Sequence, residues 1–178
     1  MNHEEFSDFF RRDYSGLMRH VRMLGHDRET AADAAQQAMV LLFEQTQTHQ
    51  VRAPRAWVRI VARRLAMHDR TRNTKRDQLH AQQAAQAPLA SCTSPEEAAL
   101  EASEAQRVLE IIAQLPPQQR QVLAWHYDGF TAKEIAEILD LKRSTVDSNL
   151  RHARDRVKAR LAQFVLVGEG RSYERPSV

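Results

Sequence analysis

The chain has 178 residues, a mass of 20.5 kDa and a formal net charge of +3, which leaves room for one large or two small domains. Apolar residues make up 42% and there are only five glycines, so helices with cores of small aliphatic side chains are expected. The single cysteine, Cys92, has no partner for an internal disulfide, and no stretch resembles a signal peptide or a membrane span, so we expect a cytoplasmic protein.

Two amphipathic helices are predicted in the first fifty residues, over about 3–24 and 28–47. The predicted buried face of the first consists of Phe6, Phe10, Leu17, Val21 and Leu24. Asp27 is a candidate N-cap for the second. The polar side chains that share one face of this second helix are Asp33, Gln36, Gln37 and Glu44. Such a face is either solvated or a docking surface for a partner protein, and the pattern alone does not decide between them.

A third helix is predicted from Pro54, and it carries the most concentrated positive charge of the chain. Residues 51–76 hold nine Lys or Arg and one acid, Asp69. Four arginines at intervals of four, four and seven form what we call the basic edge: Arg55, Arg59, Arg63 and Arg70. It is extended by Arg52, Arg64, Arg72, Lys75 and Arg76. Because solvated helix faces usually mix charges of both signs, this edge favours contact with nucleic acid.

Residues 77–94 are rich in Ala and Gln, and apolar periodicity fails there. We therefore predict a flexible linker between a domain at 1–76 and a second domain at 95–167, followed by a disordered tail at 168–178. The second domain is predicted to contain four helices, the first of them begun by Ser94-Pro95-Glu96-Glu97. The predicted fold is thus all-α, with two small helical domains.

The last two helices of the second domain are predicted to form a helix-turn-helix. Thr131 and Glu134 have the spacing of a capping box, and Asp140 tolerates the left-handed conformation that a tight turn needs. Ser144 or Thr145 is expected to cap the second helix. Its predicted buried residues are Val146, Leu150, Ala153, Val157 and Leu161. Its predicted polar face consists of Asp147, Ser148, Arg151, His152, Arg154 and Asp155. An ordinary amphipathic hairpin is the alternative.

The sequence contains no motif for catalysis or metal binding. There is no Gly-rich phosphate loop, no HExxH or Cys/His ligand pair, and no nucleophile in an activating motif. His126 and His152 lie on predicted helices, where surface or packing roles are the ordinary interpretation, although His152 falls on the face expected to meet DNA. We therefore predict no enzyme, no metal and no cofactor.

Both domains resemble one family, the extracytoplasmic-function group of bacterial RNA polymerase sigma factors. The stretches similar to the family's fourth domain are SPEEAAL at 94–100, LPPQQRQVLAWHYDGFTAKEIAEIL at 115–139 and STVDSNLRHARDRVKARL at 144–161. The stretches similar to its second domain are the DxxQ of Asp33 and Gln36 and AWVRIVARRLAMHDR at 56–70. Together they cover roughly 6–165, with no candidate third domain between them.

The resemblance implies an alternative sigma factor that binds RNA polymerase core at its clamp and flap regions, directs it to specific promoters and helps to open promoter DNA. It also implies an anti-sigma factor as a partner. The implied residues for docking on the polymerase are Asp33, Gln36 and Gln37. Those for the minus-ten region, which also includes the loop 46–53, are Arg55, Trp57, Arg59, Arg63, Arg64 and Arg70. Those for the minus-thirty-five element are Lys142, Arg143, Ser144, Thr145, Asp147, Ser148, Asn149, Arg151, His152 and Arg154.

The chemistry of these residues agrees with the resemblance. Arginine and lysine bind phosphates, whereas the polar residues from Asp147 to His152 have the hydrogen-bonding groups that contact base edges. Trp57 is either a stacking platform for an unpaired base or a core residue. Family members usually have Asn where Arg64 stands and commonly Lys or Arg where Asp147 stands, which bears on the promoter sequence and not on the class.

Two other classes of function remain as alternatives. A stand-alone helix-turn-helix repressor or activator explains 95–165 but leaves the basic edge and the Asp33/Gln36 face without a role. A helical nucleic-acid-processing enzyme needs a carboxylate or histidine cluster, and the sequence does not offer one. Co-purification with polymerase core separates the sigma factor from both.

Overall fold

The computed structural model describes residues 1–77 and 95–169, with side chains described for 1–68 and 104–163. Over those ranges the chain is helical and has no strand, which confirms the all-α prediction. The helices are α1 (His3–Met23), α2 (Arg28–Thr48), α3 (Pro54–Asp77), α4 (Pro95–Ala113), α5 (Pro117–Tyr127), α6 (Ala132–Leu139) and α7 (Arg143–Glu169). The predicted linker and tail lie outside the described residues, apart from Asp77 at the end of α3 and residues 168–169 at the end of α7.

The chain divides into two compact units, Met1–Ala102 and Ser103–Val178. In the first unit α1, α2 and α3 pack on one another, and in the second α5, α6 and α7 do so. None of the described helices is long and apolar enough to cross a membrane.

The first unit has an alanine-rich core between its three helices. The buried residues of this core are Phe9, Leu17, Val21, Ala31, Ala34, Ala35, Ala38, Met39, Leu42, Val58, Ala62 and Ala66. Leu17 and Val21 are buried as predicted. Phe6 and Phe10 pack against this core as predicted but are only half-buried, and Phe9, which was not predicted, is buried. The buried face of α1 includes the charged residue Asp13. The apolar pattern alone therefore did not identify the whole buried face.

Asp27 caps α2, as predicted from the sequence. Its Oδ1 accepts a hydrogen bond from the Thr30 backbone N–H at 2.8 Å, and its Oδ2 accepts one from the Thr30 hydroxyl at 2.9 Å. Partial burial raises the pKa of the Asp27 carboxyl, but the hydrogen bonds from Thr30 more than offset this and leave the pKa below its usual value. The cap sets where α2 begins and therefore which of its residues share the exposed face.

Over residues 104–163 the second unit buries one large aromatic side chain among aliphatic residues. Trp125 of α5 packs edge-on against Phe130, with ring centroids 4.9 Å apart. Other buried residues of this unit are Ile111, Ile112, Leu115, Val122, Ile135, Val146, Leu150 and Ala153. The prediction that Leu161 is buried is wrong: its exposed fraction is 39%, since every described residue of α7 after Val157 is exposed.

Candidate nucleic-acid interface

The helix α6 begins at a capping box, which confirms the predicted role of Thr131 and Glu134. The Thr131 hydroxyl accepts a hydrogen bond from the Glu134 backbone N–H at 3.3 Å, and the Glu134 carboxylate accepts one from the Thr131 backbone N–H at 2.8 Å. The carboxylate also accepts from the Thr131 hydroxyl at 2.7 Å. That hydroxyl contact, followed by the backbone one, lowers the pKa of Glu134. The cap therefore defines the first helix of the helix-turn-helix.

The turn between α6 and α7 depends on one left-handed residue. Asp140 has φ 53° and ψ 50° and is the C-cap of α6, as the sequence predicts. The prediction that Ser144 or Thr145 caps α7 is wrong, because α7 already begins at Arg143. The backbone N–H groups of Thr145 and Val146 both donate to the Lys142 carbonyl. Because the chain reverses direction at the left-handed Asp140, α7 begins early and both Ser144 and Thr145 fall within its first turn.

The polar face of α7 is exposed over its whole predicted length. Its members are Asp147, Ser148, Arg151, His152, Arg154 and Asp155, and all six are exposed. Val146, Leu150 and Ala153 are buried on the opposite side. Asn149 does not share the polar face: it is half-buried, and its amide donates to the Thr145 carbonyl at 2.8 Å. Lys142 and Arg143 are exposed at the start of the helix.

One arginine of this polar face is bonded to a neighbouring helix. Arg154 Nη2 lies 2.6 Å from Nε2 of His126 on α5. Since a guanidinium is always a donor, His126 accepts through Nε2 and is the neutral imidazole. Burial, and then the charge of Arg154, lower the pKa of His126, which agrees with the neutral form. Arg154 therefore links α7 to α5 in addition to carrying positive charge.

The basic edge of α3 differs from the prediction. The prediction that Arg59 lies on an exposed edge is wrong, because only 1% of this residue is exposed. Arg59 Nη1 lies 3.9 Å from Oδ1 of Asp13 on α1, and Arg55 Nε donates to the same oxygen at 2.9 Å. Arg63 is half-buried and Arg64 is exposed, whereas the side chain of Arg70 lies outside the described ones. The edge is thus partly turned inward, towards a carboxylate that the sequence analysis did not single out.

Trp57 lies where α3 meets the loop that precedes it. It is half-buried and packs against the core of the first unit. It also lines an open cavity of about 390 Å³. The other residues around this cavity are Gln45, His49, Gln50, Val51, Arg52, Ala53, Ala56 and Ile60. The prediction of a loop over 46–53 is wrong for 46–48, which belong to α2, but residues 49–53 form the loop and lie with Trp57 at one site.

The exposed face of α2 contains the predicted docking residues and an aliphatic one. Asp33, Gln36 and Gln37 are all exposed. Val40, which the sequence analysis did not single out, is 52% exposed at positions i+4 from Gln36 and i+3 from Gln37. The signal in the sequence that identifies Val40 is its spacing of four and three residues from Gln36 and Gln37, which places an aliphatic residue on a polar face. We call Asp33, Gln36, Gln37 and Val40 the docking face.

Within the described residues no group of three or more His, Cys, Asp or Glu side chains is placed to hold a metal ion. Cys92 lies outside those residues.

Comparison with known sequences gives the class of the second unit. Residues 105–157, which span the end of α4, all of α5 and α6 and the first half of α7, match the family model described as Sigma-70, region 4. A relative from Xanthomonas campestris pv. campestris, named "Probable RNA polymerase sigma factor RfaY", is 32% identical over 144 residues. The match covers 76% of this chain and 36% of the relative, so the chain spans about a third of that protein's length.

Two solved structures share the fold of the chain. CnrH, in complex with the cytosolic domain of CnrY, has a TM-score of 0.62 and 19% identity, with 91% of this chain and 90% of that one covered. The sigma factor RpoE, in complex with the anti-sigma factor NepR from Bartonella quintana, has a TM-score of 0.64 and 17% identity, with 89% and 98% covered. Residues 105–157 are therefore similar to region 4 of sigma-70, and the chain has the fold that these two solved structures share.

Proposed function

We propose that the chain is an alternative sigma factor, which binds RNA polymerase core, directs it to specific promoters and helps to open promoter DNA. The observation that carries this proposal is that the region 4 match, residues 105–157, coincides with the helices of the helix-turn-helix. The first unit accompanies it and carries the basic helix α3 and the exposed docking face of α2. The polymerase performs the chemistry, so the chain itself is not an enzyme, and its location is that of the polymerase, the cytoplasm.

In this proposal α7 contacts the minus-thirty-five element in the major groove. Arg151 and His152 are exposed opposite the buried side of the helix, and they meet base edges. Lys142 and Arg143, at the exposed start of α7, meet phosphates and set the register. Asn149 is assigned a structural role, because its amide already donates to the Thr145 carbonyl.

The other residues proposed to contact the minus-thirty-five element differ in the chemical groups that they present to DNA. Ser144 and Thr145 lie in the first turn of α7, where their hydroxyl groups suit a phosphate. Ser148 offers a hydroxyl to a base edge, and Asp147 a carboxylate that accepts from cytosine N4. The Asp147 carboxylate lies 3.9 Å from Arg143 Nε, so its negative charge is partly balanced. Arg154 contributes charge to the backbone contacts.

The minus-ten strand is placed on the first unit, at the loop 49–53 and α3. The cavity beside Trp57 has an aromatic wall, and an unpaired base gains stacking energy on such a surface. Arg63, Arg64 and Arg70 follow along α3 and suit the phosphates of a single strand. Arg55 and Arg59 act from the junction with α1, where both face Asp13.

The docking face of α2 is assigned to the polymerase clamp, and the second unit to the flap. Val40 adds an exposed aliphatic contact to the exposed polar residues of this face. We also propose an anti-sigma factor that covers the DNA or polymerase surfaces. CnrH and RpoE are each seen with a partner, the cytosolic domain of CnrY and the anti-sigma factor NepR.

Co-purification with RNA polymerase core tests the proposal. We expect the full chain to bind core, and Asp33→Lys combined with Gln36→Ala to weaken that binding without changing the helical circular dichroism spectrum. The matched control is Asp8→Lys, which reverses an exposed charge on α1. A chain that fails to bind core but binds duplex DNA by itself would instead be the stand-alone repressor or activator.

A further inference from the structure

Asp13 is a buried carboxylate at the contact between α1 and α3, and only 4% of it is exposed. Its Oδ1 accepts a hydrogen bond from Arg55 Nε at 2.9 Å and lies 3.9 Å from Arg59 Nη1. Its Oδ2 accepts from Arg12 Nε at 3.0 Å. One carboxylate thus faces three guanidinium groups, and two of these come from α3.

The Asp13 carboxylate is a counter-charge beside the buried guanidinium of Arg59, and a buried charge is stabilised by such a partner. Arg59 Nη1 also donates to the Arg55 carbonyl at 2.9 Å, so the side chain runs back along the first turn of α3. Asp13 is therefore hydrogen-bonded directly to Arg55, and it also faces Arg59, which is itself hydrogen-bonded to the Arg55 carbonyl. Together these contacts fix the rotation and height of α3 relative to α1.

The location of this cluster connects it to the proposed minus-ten surface. Arg55 and Arg59 each lie two residues from Trp57 in the sequence of α3, and Trp57 lines the cavity formed with the loop before α3. Arg12, the third partner of Asp13, lines a second cavity of about 550 Å³ together with His49 and Pro54 from the other side of the same loop. A displacement of α3 at Asp13 would therefore move both Trp57 and the loop.

We propose that Asp13 is a positioning residue for the minus-ten surface, which acts by holding Arg55 and Arg59. The inference rests on the proposed function. An apolar pair would also join α1 to α3, but the hydrogen bond from Arg55 Nε to Asp13 Oδ1 has direction and selects one arrangement of the two helices. The hydrogen bond from Arg12 to Oδ2 lies within α1 and orients the carboxylate. Asp13 contacts no DNA in this role, because it is buried.

The test uses holoenzyme formed from the full chain and RNA polymerase core, with the chain in saturating amount. The probes are a single-stranded oligonucleotide with the minus-ten sequence of a promoter located by transcript mapping, and a scrambled oligonucleotide of the same composition. Asp13→Asn keeps the shape but removes the charge, and we expect it to reduce the ratio of the two affinities about tenfold. The matched control is Asp8→Asn, which alters the exposed Asp8–Arg11 pair on the same helix and should leave the ratio unchanged.

A second variant separates positioning from folding. Asp13→Leu combined with Arg59→Leu replaces the buried charges with apolar side chains and should restore the thermal stability. We expect the affinity ratio to stay low in this variant, because Arg55 still lacks its acceptor. A ratio that recovers together with the stability would show that Asp13 is merely structural and would overturn the inference.

Wild-type holoenzyme distinguishes a failure of the proposed function from a failure of the role of Asp13. If wild-type holoenzyme binds both oligonucleotides equally, the proposed function fails and the inference fails with it. If wild type discriminates and Asp13→Asn discriminates equally well, the role of Asp13 alone is overturned and the proposed function stands.

Discussion

The helices α3 and α7 are both strongly basic, yet one arginine of α3 is buried whereas the arginines on the polar face of α7 are exposed. Arg151 of α7 is exposed, whereas Arg59 of α3 is buried. The neighbouring helices account for the difference. In the first unit α1 supplies a buried carboxylate, Asp13, but in the second α5 supplies a neutral imidazole, His126, to Arg154. A run of positive charge along a helix thus predicts a binding surface only where the adjacent helix offers no acid.

The largest effect is expected from removing that acid. Asp13→Ala leaves Arg59 buried without its counter-charge and should destabilise the first unit by about 3 kcal/mol, the low end for a buried pair because exposed Arg12 and Arg55 relax towards solvent. Hydrogen exchange of the α1 and α3 amides should accelerate, and exchange in α5 to α7 should not. Asp8→Ala is the control at an exposed pair. Unchanged exchange in α1 and α3 would remove the proposed contrast between the two helices.

The second prediction concerns the exposed arginine of α7. Arg151→Ala should cost about 1–3 kcal/mol in binding of promoter duplex by the holoenzyme and should relax base preference at one position. Lys142→Ala is the comparison, because a phosphate contact should weaken all duplex sequences alike. If Arg151→Ala left the sequence preference intact, α7 would not be the helix that recognises the minus-thirty-five element.

The salt dependence of open-complex formation should distinguish the exposed Arg64 of α3 from the buried Arg59. Arg64 is exposed, so Arg64→Ala should reduce the salt dependence of open-complex formation by about one phosphate contact. Arg59 is buried, so Arg59→Ala should lower stability and opening without changing the salt slope. Equal changes of slope for both variants would mean that Arg59 reaches the DNA after all. Open-complex yields over a range of salt concentrations provide the measurement.

The smallest effect is expected from pH at the contact between α5 and α7. The folded-state pKa of His126 lies below its ordinary value, so the unfolded chain binds the proton more readily. The contribution of the contact is therefore present above the ordinary pKa of histidine, about 6.5, and is lost as the pH falls through the lowered folded-state value. His126→Gln should abolish this part of the pH dependence of thermal stability, whereas His68→Gln, at an exposed histidine on α3, should not. Identical pH profiles for wild type and His126→Gln would contradict the assignment.

The features that could be predicted from the sequence are local ones. The caps at Asp27 and Thr131 join residues three apart, and the left-handed Asp140 is a property of a single residue. The contacts that were missed join distant residues: 42 positions separate Arg55 from Asp13, and 28 separate Arg154 from His126. No periodicity within one helix contains that information. The start of α7 was misplaced because the turn proved shorter than the apolar pattern suggested.

Val40 was only partly predictable from the sequence. Its spacing from Gln36 and Gln37 was present in the sequence, but only the fold shows that the α2 face carrying it is left uncovered in the first unit. We therefore include Val40 with the polar residues in the proposed polymerase-binding set. Adding Val40→Ser to the Asp33 and Gln36 variant is the direct extension of the core-binding experiment.

Permanganate reactivity of unpaired thymines tests most directly whether the chain directs polymerase to promoters and opens them. The experiment compares mapped promoter DNA incubated with RNA polymerase core, with the chain, or with both. We expect reactive thymines around the minus-ten element only when both proteins are present. Promoter duplex that is bound by the chain alone, and that stays unreactive after core is added, would contradict the proposed function.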